Sequence, residues 1–174
     1  MNSAVYVFVM GVSGTGKSTL AQEIANSLNI EMVDADDFHS EEAKAIMASG
    51  QSIDQATRLK WLNRLTTFLF THKYKPCVIA YSGLFAAQRK QLMSINKNSL
   101  GILLEGDEDI IFERLENRIG HFAPSTMLKS QLELFEPLAS DETNVLSLPV
   151  LDSTAEQAQQ AIAYINELAI FETK

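Results

Sequence analysis

The sequence is short of cysteine, of positive charge and of long apolar runs. Its single cysteine, Cys77, excludes an intramolecular disulfide framework and suits a reducing cytosol. Cys77 reads instead as a small buried hydrophobe on a strand. Only 14 Lys and Arg stand against 22 Asp and Glu, for a formal net charge of −8. That balance argues against nucleic acid or an anionic membrane as a partner. It also makes the few cations informative, because an anionic ligand needs them gathered in one place. No segment approaches the ~20 consecutive apolar residues that span a bilayer. No basic stretch leads into an apolar run and a small-residue cleavage site, so no secretory signal is expected and a cytoplasmic location is. Internal repeats, low-complexity tracts and linkers rich in Pro, Gly or Ser are missing too. With 174 residues, 46% of them apolar, one domain over 1–174 with a single buried core is expected.

Short apolar runs alternate with longer amphipathic ones. Val5–Met10, Ile30–Ala35, Cys77–Ser82, Leu100–Glu105 and Asn144–Val150 read as strands. Several are apolar on both faces, as in a parallel sheet covered on both sides. Helical patterns occupy Lys17–Leu28, Glu41–Ser49, Thr57–Tyr74, Phe85–Ile95, Glu108–Asn117, Thr126–Phe135 and Thr154–Ile170. Ser40 is placed to cap the second helix and Gly50 to stop it. The alternation predicts a three-layer α/β domain with right-handed crossovers. The segments around 40–75 and 106–137 exceed what a crossover requires, and such excess builds a substrate wall or a lid.

Directly after the first strand comes Gly11-Val12-Ser13-Gly14-Thr15-Gly16-Lys17-Ser18, which fits G-x-x-x-x-G-K-[ST] with a helix behind it. The glycines allow turns closed to other residues, so successive N–H groups converge as an anion nest. The helix N-terminus adds partial positive charge. Lys17 is placed for the β- and γ-phosphates, Ser18 for Mg²⁺, and Thr19 for the neighbourhood of the α-phosphate. The loop, with Gly11, Ser13, Gly14, Thr15 and Gly16 as its frame, is therefore a nucleoside triphosphate site.

The receiver of the phosphate must be read elsewhere. A guanine-reading N-K-x-D is missing, since Asn96-Lys97-Asn98-Ser99 precedes a strand and lacks the aspartate. The strand of "CVIAYSG" ends without the acid that motor and transport ATPases place there. The acids fall instead in "DADDFH", at the end of the second strand, an arrangement used by small metabolite kinases.

The strings "GVSGTGKS", "DADDFH", "MASG", "RLKWL", "YSGL" followed by Arg89, "LLEGD" and "RLENRIGHF…SQ" resemble, in order and spacing, the bacterial-type gluconokinases, relatives of shikimate kinase. The resemblance runs from Val7 to about Asp152. It implies a P-loop kinase fold, a five-stranded parallel sheet flanked by helices with a mobile lid at about 118–130 and an acceptor-binding helical segment at about 38–75. It also implies ATP and Mg²⁺ as cofactors, D-gluconate phosphorylated on its 6-hydroxyl as the reaction, and a homodimer.

Within that resemblance the residues take roles. Asp34 supports the Mg²⁺ shell. Asp36, two residues on along the strand end, orients the acceptor hydroxyl and takes its proton. His39 resembles a substrate contact, and Ser82 lies in the turn that faces the acceptor. Arg58 offers a planar guanidinium for the sugar-acid carboxylate, with Arg89 placed for the same anion or a phosphate. Trp61 reads as core packing. Arg114 and Arg118 share a helix face, and the resemblance puts the first on the base and the second on the transferring phosphoryl group. His121, in the lid, touches phosphate or substrate.

The acceptor half departs from the family pattern. Ala35, Ser40, Ala43, Ile46, Ser52, Gln55, Thr57 and Lys60 replace Gly, Pro, Asn, Lys, Pro, Asp, Asp and Pro, and Phe85 replaces a lysine. Phe85 and Ile46 are expected to make the acceptor pocket more apolar. A different small hydroxy acid, a shikimate- or nucleotide-type acceptor, and a nucleotide-binding regulator without catalysis remain the alternatives.

Overall fold

The computed structural model describes residues 5–72, 75–117 and 125–168. Five strands form one sheet: β1 Tyr6–Met10, β2 Glu31–Asp34, β3 Cys77–Tyr81, β4 Leu100–Glu105 and β5 Val145–Pro149. All paired neighbours run parallel in the order β2-β3-β1-β4-β5. The helices are α1 Lys17–Leu28, α2 Glu41–Ala48, α3 Gln55–Thr71, α4 Ala86–Met93, α5 Glu108–Glu116, α6 Ser125–Leu134 and α7 Thr154–Leu168. Every strand and helix expected from periodicity is present, most with shifts of one to three residues at their ends. The segment 118–124, which holds the first part of the expected lid, lies outside the described residues.

The sheet is buried on both faces, as its apolar runs require. On β1 the side chains alternate: Val7 and Val9 join one core with Leu20, Ile24 and Ala161 from α1 and α7. Tyr6, Phe8 and Met10 join the other with Leu62, Leu65 and Leu69 from α3. Cys77 is buried in that second core, and loss of water pushes its thiol up to about 12. Trp61 is buried too, donating its indole N–H to the Ala35 carbonyl at 2.7 Å.

Local signals set the helix ends. The Ser40 hydroxyl accepts from the Ala43 N–H at 3.2 Å, and Asp54 caps α3 by accepting from Thr57 N–H at 2.7 Å. Gly50 follows α2 with φ 82°. One element escaped the periodicity, a 3-10 turn over Ala35–Phe38. Asp34 caps it, accepting from the Asp36 N–H at 2.9 Å, so the acidic run folds back on itself at the end of β2.

Candidate active site

The phosphate loop leaves the carboxyl end of β1, the central strand, where open α/β sheets bind their ligands. Gly14 and Gly16 take φ of 88° and 92°, turning the loop into the start of α1. Thr15 closes the loop on itself: it is buried, and its hydroxyl donates to the Val12 carbonyl at 2.9 Å. The Gly11 N–H donates to the Ser82 carbonyl at 3.3 Å, tying the loop to the turn after β3.

A cleft of about 490 Å³ opens between this loop and a wall built by the 3-10 turn, α2, α3 and the turn after β3. It brings together Ser13, Gly14, Lys17 and Ser18 of the loop with Asp34 and Asp36. His39, Arg58 and Ser82 line it too.

Ser18 Oγ and Asp34 Oδ2 lie 3.5 Å apart. Among the described residues no group of three or more His, Cys, Asp or Glu is placed to hold a metal. A pair of oxygen ligands with room for water and phosphate oxygens suits Mg²⁺, which dehydrates reluctantly and rarely takes an all-protein cage. Ser18 and Asp34 therefore fit the ion the loop chemistry calls for.

The Asp36 side chain is 65% accessible, yet it sits down in the cleft with protein around it. Partial loss of bulk water lifts its pKa, the nearby Lys17 charge opposes the lift, and Asp34 and Asp37 reinforce it. His39 is buried and lies flat on Trp61, with ring centroids 4.8 Å apart and planes 6° from parallel. Burial first, and then the Arg64 and Lys44 charges, push the imidazole down to about 4, so it is neutral at ordinary pH. Its Nε2 stands 3.9 Å from Asp36 Oδ1. Trp61 is covered by His39 on one face and stacks on Tyr81 at 5.7 Å, so it packs as expected. Arg58 is half-buried, 4.5 Å above the Phe85 ring, with Nη2 donating to the Ile53 carbonyl at 3.2 Å.

Several expectations are corrected. Arg89 does not reach the cleft. It is fully buried, and its five N–H donors are met by Glu142 at 2.7 and 2.8 Å and by the carbonyls of Gly83, Glu136 and Pro137 at 2.8, 2.9 and 3.2 Å. No donor is left for a substrate anion. Ile46 does not line the pocket either: α2 turns about 100° per residue, so Lys44, Met47 and Ala48 face the cleft and Ile46 faces solvent. Thr19 on α1 and Arg114 on α5 are exposed and do not line this cleft; the places expected for them, by the α-phosphate and the base, are a different part of the nucleotide site. Arg118 and His121 lie outside the described residues.

The sequence led to a wall or lid somewhere in 106–137 but not to the residues that form it. One face of α6 closes the cleft with Met127, Gln131 and Leu134. Their spacing, i, i+4 and i+7, was the available signal. Gln131 Oε1 accepts from the Ser13 N–H at 2.6 Å.

Comparison with known proteins agrees with this geometry. The family described as AAA domain matches residues 7–138. A probable gluconokinase of Dictyostelium discoideum is 40% identical over 147 residues, covering 79% of this chain and 74% of the relative. The thermoresistant gluconokinase of Escherichia coli K12 is 37% identical over 148 residues, 84% of each chain. The crystal structure of a gluconokinase from Sinorhizobium meliloti 1021 superposes with a TM-score of 0.85 at 29% identity, over 97% of both chains. A phosphate loop after the central strand, an acidic turn facing it, and whole-length likeness to these proteins converge: the chain belongs to the gluconokinase family of phosphate-loop kinases.

Proposed function

We propose that this protein transfers the terminal phosphoryl group of ATP to the 6-hydroxyl of D-gluconate, giving 6-phosphogluconate. The observation that carries the reading is one cleft lined together by Lys17 and Ser18 of the phosphate loop, by Asp36 and by Arg58. ATP supplies the phosphoryl group; Ser18 and Asp34 would hold Mg²⁺, which when bound would neutralise charge on the phosphates. The loop N–H groups and Lys17 fix the triphosphate. Arg58 takes the acceptor carboxylate with parallel N–H bonds, while Phe85 beneath it restricts its motion. Ser82 and His39 border the polyol chain, His39 as a neutral imidazole.

Asp36 holds the acceptor hydroxyl toward the terminal phosphorus. As the new O–P bond forms and the bridging O–P bond of ATP breaks, the hydroxyl proton passes to the Asp36 carboxylate. A raised pKa makes that carboxylate a better base than an ordinary aspartate. Arg118 and His121, in the proposed lid at 118–130, complete the charge stabilisation, and Arg114 borders the adenine. The acceptor segment at 38–75 supplies the substrate wall. No helix among the described residues is long and apolar enough to cross a membrane. A cytoplasmic location and a homodimer complete the reading, the latter checked by light scattering.

The test is ADP release with Mg·ATP against gluconate, other aldonates, shikimate and nucleoside monophosphates. Turnover with gluconate above the other acceptors is expected. Turnover confined to shikimate or a nucleotide, or ATP binding without acceptor-stimulated turnover, would overturn it.

A further inference from the structure

Gln131 is a cleft residue to which the reaction described above gives no task. Its helix, α6, touches both halves of the site. Met127 Sδ accepts from the Ser13 hydroxyl at 3.8 Å, Gln131 Oε1 accepts from the Ser13 N–H at 2.6 Å, and the neighbouring Ser130 hydroxyl bonds that of Ser52 on the acceptor wall. Gln131 therefore sits at the seam between the phosphate loop and the acceptor side. The terminal phosphate of a bound triphosphate has to lie at that seam, since it must be reached from the acceptor side and from Lys17 together.

The chemistry of the contact fixes the amide's orientation. A backbone N–H can only donate, so the atom facing Ser13 is the carbonyl oxygen and the other is the NH₂ group. Among the described residues no protein atom takes up that NH₂ group. The Ser13 N–H, one of the donors of the anion nest, is thus not lost to the ligand. It is relayed outward through a planar amide that presents two further donors.

We propose that Gln131 extends the phosphate loop by one side-chain donor, which binds a terminal phosphate oxygen of the triphosphate. The inference rests on the triphosphate site above but is independent of the acceptor's identity. It explains why α6 is held against the loop, and it makes this side chain a sensor of the phosphate that ATP has and ADP lacks.

Two isosteric variants test it, with ATP and ADP affinities measured by calorimetry in Mg²⁺. Gln131→Glu keeps an oxygen for the Ser13 N–H but replaces the donor with a negative charge. Gln131→Met removes both groups. ATP affinity is expected to fall by roughly tenfold to a hundredfold in Gln131→Glu, and by less in Gln131→Met, with ADP affinity unchanged in both. Melting temperatures close to wild type confirm the fold. Equal weakening of ATP and ADP would make Gln131 a shaper of the loop alone and overturn the proposal. Unchanged affinity for both would do the same. Wild-type protein that bound neither nucleotide would overturn the triphosphate reading itself.

Discussion

Arg89 and Glu142 form a bidentate ion pair at 2.7 and 2.8 Å in the interior, with both side chains almost fully enclosed. The pair bolts the segment after α6 to α4, and two further bonds tie that segment to the start of α4 and the turn before it. The Glu136 N–H donates to the Leu84 carbonyl at 2.8 Å, and Glu136 Oε2 accepts from Ala86 N–H at 2.7 Å. Removing one partner leaves a buried charge uncompensated. Arg89→Met should therefore destabilise the protein by about 3–5 kcal/mol in urea denaturation at neutral pH. The double variant Arg89→Met/Glu142→Leu should recover part of that loss and keep its acceptor KM. The lone charge is gone, while the Gly83, Glu136 and Pro137 carbonyls and the Ala139 N–H lose their partners. A folded double variant that no longer binds acceptor would return Arg89 to the substrate site.

Asp36→Asn should lower kcat by roughly 10²–10⁴-fold while ATP affinity holds or improves, because a negative charge leaves the phosphate side of the cleft. The pH profile is the sharper readout. Desolvation raises the Asp36 pKa, so the acid limb of kcat/KM should lie above the usual aspartate range, with activity rising as pH climbs through it. The residual activity of the variant should lack that limb.

His39 predicts a stability change with pH. Its pKa is about 4 when folded and about 6.5 in an unfolded chain. Between those values the unfolded chain carries the proton and the folded one does not, so stability rises with pH over this window. The contribution is complete above about pH 6.5 and is lost as pH falls toward 4, amounting to roughly 3 kcal/mol at most. His39→Phe keeps the stack on Trp61 and should flatten the dependence. Identical slopes for the two proteins in denaturation between pH 7 and 4.5 would refute it.

Arg58→Met should raise the acceptor KM by roughly tenfold to a hundredfold with the KM for ATP unmoved. Phe85→Ala should raise it less, since the guanidinium survives but loses the ring 4.5 Å beneath it. A matched rise in both KM values would mean that Arg58 shapes the whole cleft instead of gripping one substrate.

The strands and helices were legible because burial on both sheet faces and one-sided burial of helices leave different periods in the chain. The phosphate loop was legible because its chemistry demands consecutive residues. The rest of the site was legible only in part. Arg89 looked like an anion ligand because sequence shows a cation near a turn but not Glu142, 53 positions away in the chain. Ile46 and Met47 are neighbours in sequence, and only helical phase decides which one faces the cleft. Gln131 stood in a quoted string without a role, since the contact to Ser13 spans 118 positions. The turn at Ala35–Phe38 is too short to show a period at all.

The strand order has an evolutionary consequence. The nucleotide cradle hangs from β1, braced by a strand on either side, whereas the acidic turn and α2 hang from β2 at the sheet's margin. Substitutions along α2, past Asp34 and its part in holding Mg²⁺, can retune which alcohol is accepted while the ATP-handling machinery stays untouched. The architecture thus separates a stiff, reusable engine from an adaptable mouth.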